Sequence, residues 1–252
     1  MLEQFTVKIK RQDRPESVPY WQTFELTYEL GLNVTTCLQR IAANPVTADA
    51  KSTTPVAYEA VCLEEVCGSC TMLIGGRVRQ ACSALIDTLI DDLHSEIVLE
   101  PMSKFPVQRD LFVNRKRMFD GLKHARGWIA VDGYHHTGAG PRQAPADQEH
   151  AYPLSTCMTC GCCVEACPQF GPHTDFVGPA VISQVMYFNS HPTGRFDADK
   201  RLQAIMGPGG ITDCGNSQNC VKVCPKEIPL TDSIARAGRA TTVAALKRVF
   251  NQ

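Results

Sequence analysis

The chain of 252 residues has almost no excess of either charge, few aromatic residues and no long apolar run. Lys and Arg number 25 against 26 Asp and Glu, a formal net charge of −1, so no global field draws the chain to nucleic acid or to an anionic membrane surface. No nucleic-acid partner is expected. The longest weakly polar run, Ala81 to Ile90, is broken by Asp87 and falls well short of the roughly 20 apolar residues that span a bilayer. Any membrane contact must then be made through partners. The N-terminal MLEQFTVKIK is polar, alternates like a strand and lacks the apolar core and small-residue cleavage site of a secretory signal, so export is not expected. There is also no Ser/His/Asp set, paired-carboxylate motif or phosphate loop, which argues against bond chemistry by this chain itself.

What the sequence does carry is periodicity, and it changes character along the chain. Its length suggests two domains of roughly 100 to 150 residues. Phe5 to Lys10 and Trp21 to Tyr28 alternate around a Pro-containing turn, as a β-hairpin does. Leu32 to Ala43 places Val34, Cys37, Leu38 and Ile41 at helical spacing before the stop Asn44-Pro45. Thr71 to Ile74 and Arg77 to Gln80 flank Gly75-Gly76, the two-residue turn of a tight hairpin, and Ile97 to Leu99 supplies a last strand. Strands with one helix laid across them make an α+β layer ending near Pro101. Asp110 to Arg126 has a helical apolar face, with Arg115, Lys116, Arg117 and Lys123 as a basic face for docking or solvent. Asp132 to Pro153 is rich in Gly, Pro, His and Gln and is expected to be an irregular linker, with His135 and His136 as exposed loop residues. Val177 to Phe188, Ala198 to Met206 and Leu230 to Phe250 look helical, so the second half is mostly α. The expected partition is one domain at 1–105, a connecting helix and linker at 106–153, and a helical domain at 154–252.

Thirteen cysteines are far more than packing in a reduced compartment needs; twelve fall in three tight groups and Cys37 stands apart. In an unexported chain such spacing points to metal or cluster binding before disulfides. Cys62, Cys67 and Cys70 form C-x4-C-x2-C, with Cys82 beyond the glycine turn, which is the plant-type [2Fe–2S] spacing. Each iron takes two thiolates in a tetrahedron; a tight loop supplies three and a distant cysteine closes the site. Gly68 would let the loop backbone approach the cluster. A structural zinc site on the same four thiolates is the alternative; the x4 spacing and strand–turn–strand setting favour the cluster.

Cys157, Cys160, Cys163 and Cys167 form C-x2-C-x2-C-x3-C-P, the bacterial ferredoxin run, in which the fourth cysteine serves the other cluster. A second run lies 57 residues on, at Cys214, Ser217, Cys220 and Cys224, with Pro168 matched by Pro225. Exchanging the fourth ligands puts a [4Fe–4S] cluster on Cys157, Cys160, Cys163 and Cys224. Cys167, Cys214 and Cys220 remain, and three thiolates favour [3Fe–4S]; Ser217 as a fourth ligand is disfavoured because a hydroxyl is a poor partner beside soft thiolates. Cys162 and Cys37 read as buried soft hydrophobes, without an assigned role.

This arrangement resembles the iron–sulfur subunit of succinate dehydrogenase and fumarate reductase along nearly the whole chain. VCLEEVCGSC from Val61, FPVQRDL from Phe105, HPTG from His191 and CGNSQNC from Cys214 look like its menaquinone-linked bacterial branch. The resemblance implies an α+β chain: an N-terminal β-grasp plant-type ferredoxin domain, then an all-α bacterial-ferredoxin-like domain. It also implies partners, namely a flavoprotein that oxidises succinate with covalent FAD and a membrane anchor, often bearing haem b, that passes electrons to menaquinone. The chain would be the peripheral wire between them, at the cytoplasmic face of the bacterial inner membrane, serving the tricarboxylic acid cycle and the respiratory chain. The family order puts [2Fe–2S] nearest the flavin and [3Fe–4S] nearest the membrane. Where the ubiquinone-reducing branch has a Trp and a His, this sequence has Pro172 and Gly215, neither able to donate a side-chain hydrogen bond to a quinone. The alternatives are operation as a fumarate reductase, or service to another flavin dehydrogenase or as a free-standing carrier; the subunits of those other flavin dehydrogenases typically keep four cysteines in both runs, unlike this chain with its Ser217.

Overall fold

A computed structural model describes residues 3–91, 93–129 and 142–250. Contacts divide the chain into two compact units, Met1–Arg115 with Cys160–Glu165, and Lys116–Thr159 with Ala166–Gln252. The border expected at 105 thus falls inside the first unit, which also takes in part of the first ferredoxin run.

The first unit is a five-stranded sheet in the order β2-β1-β5-β3-β4. Strands β1 (Gln4–Arg11) and β2 (Tyr20–Thr27) are the antiparallel hairpin, and β1 pairs in parallel with β5 (Glu96–Glu100). A second hairpin, β3 (Thr71–Ile74) and β4 (Arg77–Gln80), turns on Gly75 and Gly76, whose φ values of 57° and 74° suit a residue without Cβ. Helix α1 (Val34–Ala43) starts where Asn33 Oδ1 accepts from the Thr36 amide at 2.9 Å. Its Val34, Cys37, Leu38 and Ile41 join Phe5, Val7, Ile9, Phe24, Ile97 and Leu99 in one core. Each aliphatic side chain buried there contributes about 1.5–3 kcal/mol. Cys37 is part of that core, and burial pushes its thiol up to about 12.

The buried face of β1 ends in a charge. Arg11 is fully buried, and its Nε and Nη2 donate to the two carboxylate oxygens of Asp110 at 3.0 and 2.9 Å. Gln22 Oε1 and the carbonyls of Thr54 and Pro55 take its remaining protons, and Asp110 also accepts from the Gln12 and Ala57 amides. Asp110, at φ 47°, lies between the short strands β6 (Val107–Arg109) and β7 (Phe112–Val113). This corrects the expected helix over Asp110 to Arg126: α2 is only Lys116–His124. The first residues of that periodic stretch are held by Arg11 and by the core, where Leu111 is buried.

The second unit is helical, with α3 (Pro145–Ser155), α5 (Pro179–Ser190), α6 (Ala198–Met206) and α8 (Leu230–Phe250); α5 packs against α3, α6 and α8. Short helices α4 (Cys162–Glu165) and α7 (Asn219–Lys222) carry cysteines of the two runs. Helix α3 occupies the end of the stretch expected to be linker, entered through Pro145 in the first helical turn, where its missing N–H costs nothing. The rest of that stretch up to residue 141, with His135 and His136, lies outside the described residues. Arg201, fully buried, donates to the carbonyls of Arg126, Trp128 and Gly194 and to Asn189 Oδ1, tying α6 to its surroundings.

Candidate metal centres

The loop from Cys62 to Cys70 reverses its backbone repeatedly: Leu63, Glu65 and Gly68 have φ of 61°, 55° and 70°. Such alternation turns successive N–H groups inward and makes a concave anion-binding surface. The amides of Glu64, Val66 and Cys67 donate to Cys62 Sγ at 3.4, 3.3 and 3.3 Å, and Glu65 N donates to Cys82 Sγ at 3.3 Å. Ser69 supplies both N and Oγ to Cys67 Sγ, at 3.5 and 3.1 Å. The β3–β4 hairpin brings Cys82 back: Thr71 pairs with Gln80, the Ala81 amide donates to the Cys70 carbonyl at 3.1 Å, and the Cys70 and Cys82 thiols meet. Backbone amides thus reach the sulfurs of Cys62, Cys67 and Cys82 in this group.

These surroundings pull the thiols apart. Burial alone would raise Cys67, but the Ser69 and Cys62 hydrogen bonds bring it down to about 6. Burial pushes Cys70 up to about 12, with Cys82 adding to the effect. A set of soft thiol ligands ringed by amide donors suits a sulfur-rich anionic cluster, since hydrogen bonds to its sulfurs offset the charge.

Two anchors of this loop were not legible as such. Arg115 Nη1 donates to the Gly68 carbonyl at 2.7 Å, while Nη2 reaches Ser69 O and pairs with Glu59 at 2.7 Å. Read on a basic helical face, Arg115 instead precedes α2 and holds the loop. Arg117 likewise turns inward within the second unit, its guanidinium 4.2 Å from the Phe170 ring centroid and bonded to the carbonyls of Gly171, Thr174 and Phe176. The second anchor is Gly68 itself. A Cβ there would meet Cys160 Cα and Cβ at 2.6 Å, so the cysteine loop and the ferredoxin run touch through bare backbone.

In that run, Thr159 and Gly161 have φ of 53° and 93°, after which α4 begins. Glu165, buried at its end, accepts from Ser103 N and Oγ at 2.9 and 2.5 Å and from Lys104 N at 3.3 Å. Within the first unit Cys160 contacts Cys162, which hydrogen-bonds it down to about 7 against the opposing effect of burial; the Arg115 charge acts in the same direction. Cys162 moves up, through the Cys160 contact and burial.

In the second unit Cys220 is raised by burial and by the nearby charges of Cys167 and Cys214, which places the three remaining cysteines in one electrostatic neighbourhood. The loop between Cys214 and Cys220 again has positive φ, at Asn216 (51°) and Gln218 (60°), and Asn219 Nδ2 donates to the Ala166 carbonyl at 3.2 Å. Ser217 is exposed. Of the expected four-cysteine set, Cys160 and Cys163 belong to the first unit and Cys157 and Cys224 to the second. Among the described residues no group of three or more His, Cys, Asp or Glu gathers around one point to hold a single ion.

Comparison with known proteins matches residues 6–120 to a 2Fe-2S iron-sulfur cluster binding domain and residues 153–228 to a 4Fe-4S dicluster domain. A succinate dehydrogenase iron-sulfur subunit of Bacillus subtilis is 50% identical over 252 residues, covering 99% of this chain and 98% of that protein. A fumarate reductase iron-sulfur subunit of Haemophilus influenzae is 30% identical over 190 residues, 71% of this chain and 72% of that one. Among solved structures, a chain of the Mycobacterium smegmatis Sdh1 complex in the apo form superposes with a TM-score of 0.76 at 21% identity, over 96% of both chains.

Proposed function

The chain belongs to the iron–sulfur subunits of succinate dehydrogenase and fumarate reductase, electron-transfer subunits of an oxidoreductase complex, and on that premise we propose how it relays electrons. The partners are a flavoprotein carrying FAD and a quinone-reactive membrane anchor, and the direction is succinate oxidation; the 50% identity with a succinate dehydrogenase subunit, against 30% with a fumarate reductase subunit, supports that direction. When bound, each cluster takes up and releases one electron at a time.

Cys62, Cys67, Cys70 and Cys82 hold [2Fe–2S]; Cys157, Cys160, Cys163 and Cys224 hold [4Fe–4S]; Cys167, Cys214 and Cys220 hold [3Fe–4S]. The observation that carries this reading is the convergence of backbone N–H groups on the thiols of the first loop. Those donors stabilise extra negative charge without moving, Gly68 permits close backbone approach, and Arg115 fixes the loop. Val61, Leu63 and Val66 on the same loop are 77%, 51% and 58% exposed, an apolar rim suited to docking the flavoprotein.

Quinone chemistry belongs to the anchor, with menaquinone as acceptor and haem b held there. Gly215 lies under Gln169, whose Nε2 would sit 2.5 Å from an added Cβ, and Pro172 offers no donor. Among the described residues no helix is long and apolar enough to cross a membrane. In this reading the subunit is peripheral, held by its partners at the cytoplasmic face. The test is metal analysis of the purified chain: about nine iron atoms are expected, the total of a two-, a four- and a three-iron cluster. Stoichiometric zinc with little iron would overturn the assignment.

A further inference from the structure

Arg115 does more than close off the first cysteine loop, because of which peptide it holds. It is the last residue of the first unit, just before α2. Its Nη1 donates to the Gly68 carbonyl at 2.7 Å, and Thr71 Oγ1 donates to the same oxygen at 2.8 Å. The N–H at the other end of that peptide belongs to Ser69, and it donates to Cys67 Sγ at 3.5 Å. Ser69 Oγ lies 3.1 Å from the same sulfur. A guanidinium, a peptide group and a cysteine sulfur therefore stand in one hydrogen-bonded line.

The amide is conjugated, so a cation bonded to its oxygen draws electron density from its nitrogen and makes the N–H a stronger donor. Hydrogen bonds in such a series strengthen one another by about 10–30% each. Once Cys67 is bound as a thiolate it can only accept, and the line then delivers part of the Arg115 charge to a ligand sulfur. Hydrogen bonds to cluster sulfurs stabilise the more negative, reduced state and raise the potential. Glu59 opposes this, since its carboxylate pairs with Arg115 Nη2 at 2.7 Å. The Arg115 side chain is 14% exposed and that of Glu59 39%, so solvent screens the carboxylate more than the guanidinium and the balance at the peptide is positive.

We propose that Arg115 is a positioning residue that polarises the Gly68–Ser69 peptide toward the Cys67 sulfur and so holds the reduction potential of the first cluster up, with Glu59 as its counterweight. This rests on the assignment of Cys67 as a [2Fe–2S] ligand.

The test is a redox titration of the assembled membrane complex, following the reduced [2Fe–2S] signal by low-temperature EPR, in Arg115→Met and Glu59→Gln. Loss of the charge-assisted bond should shift the one-electron equilibrium roughly tenfold. Tenfold is about 59 mV, here toward lower potential. Glu59→Gln keeps an acceptor for Nη2 but removes the opposing charge, and should move the midpoint the other way by a smaller, roughly twofold, shift. Opposite signs are the signature, because a loop merely braced by this ion pair would respond in the same direction, or not at all, to the loss of either partner. If Arg115→Met fails to retain the cluster, Glu59→Gln decides alone: a raised midpoint upholds the proposal and an unmoved or lowered one overturns it. An unmoved midpoint in a cluster-bearing Arg115→Met, or shifts of the same sign in both variants, likewise overturns it. A missing [2Fe–2S] signal in the unaltered complex overturns instead the ligand assignment beneath it.

Discussion

Gly68→Ala is a small change with a large expected effect. Its φ of 70° forces an alanine into left-handed backbone, which costs about 1–2 kcal/mol. The new methyl would also stand 2.6 Å from Cys160 Cα and Cβ and 3.1 Å from Cys160 N, where carbon atoms settle at roughly 3.5–4.0 Å. The obstructing atoms are backbone and Cβ, which no rotamer change can withdraw. Either the loop or the run must move by about 1 Å, and overpacking of this kind adds about 1–3 kcal/mol. The sum, about 2–5 kcal/mol, falls on a loop that aims amides at sulfur. Gly75→Ala is the control, because its φ of 57° carries the same strain while nothing lies within 4 Å of the added methyl. The assay is urea unfolding of the two variants, with [2Fe–2S] and [4Fe–4S] EPR intensity per chain. Gly68→Ala should be less stable than Gly75→Ala by about 1–3 kcal/mol and lose intensity from both clusters. Equal stability and equal cluster content would refute the close contact of the two cysteine segments.

Three further perturbations have defined outcomes. Cys82→Ala should abolish the [2Fe–2S] signal and spare the others; loss of the [3Fe–4S] signal alone would contradict the ligand partition. Arg11→Met leaves the buried Asp110 with only the more distant Arg109, at 3.9 Å, as counter-charge and should cost about 3–5 kcal/mol in urea unfolding. Ser217→Cys supplies the thiolate missing from the second run, and the oxidised-state [3Fe–4S] EPR signal should disappear as a fourth iron is retained.

Much of the first unit could be read from the sequence because its determinants are local. Alternation along Phe5 to Lys10, the Asn33-capped helix and the Gly75-Gly76 turn each depend on neighbours within a few residues. The cysteine runs were legible for a similar reason, since ligand spacing is a property of short loops. The misread segment was Asp110 to Arg126, where helical periodicity competes with a carboxylate that Arg11 holds from 99 residues away. A helical face also concealed Arg115 and Arg117: both look like surface charges until the carbonyls they cap are known. Pro145 and Pro153 made α3 look like linker, although Pro145 stands in the first helical turn and Pro153 near the end.

Whether this chain carries electrons from succinate toward quinone through three clusters is decided by low-temperature EPR of membranes holding the complex, before and after succinate, alongside the isolated chain. Succinate should bleach an oxidised-state [3Fe–4S] signal and bring up a reduced [2Fe–2S] signal in membranes alone. If succinate leaves every signal unchanged while dithionite reduces all three clusters, the chain holds its clusters but does not serve succinate oxidation.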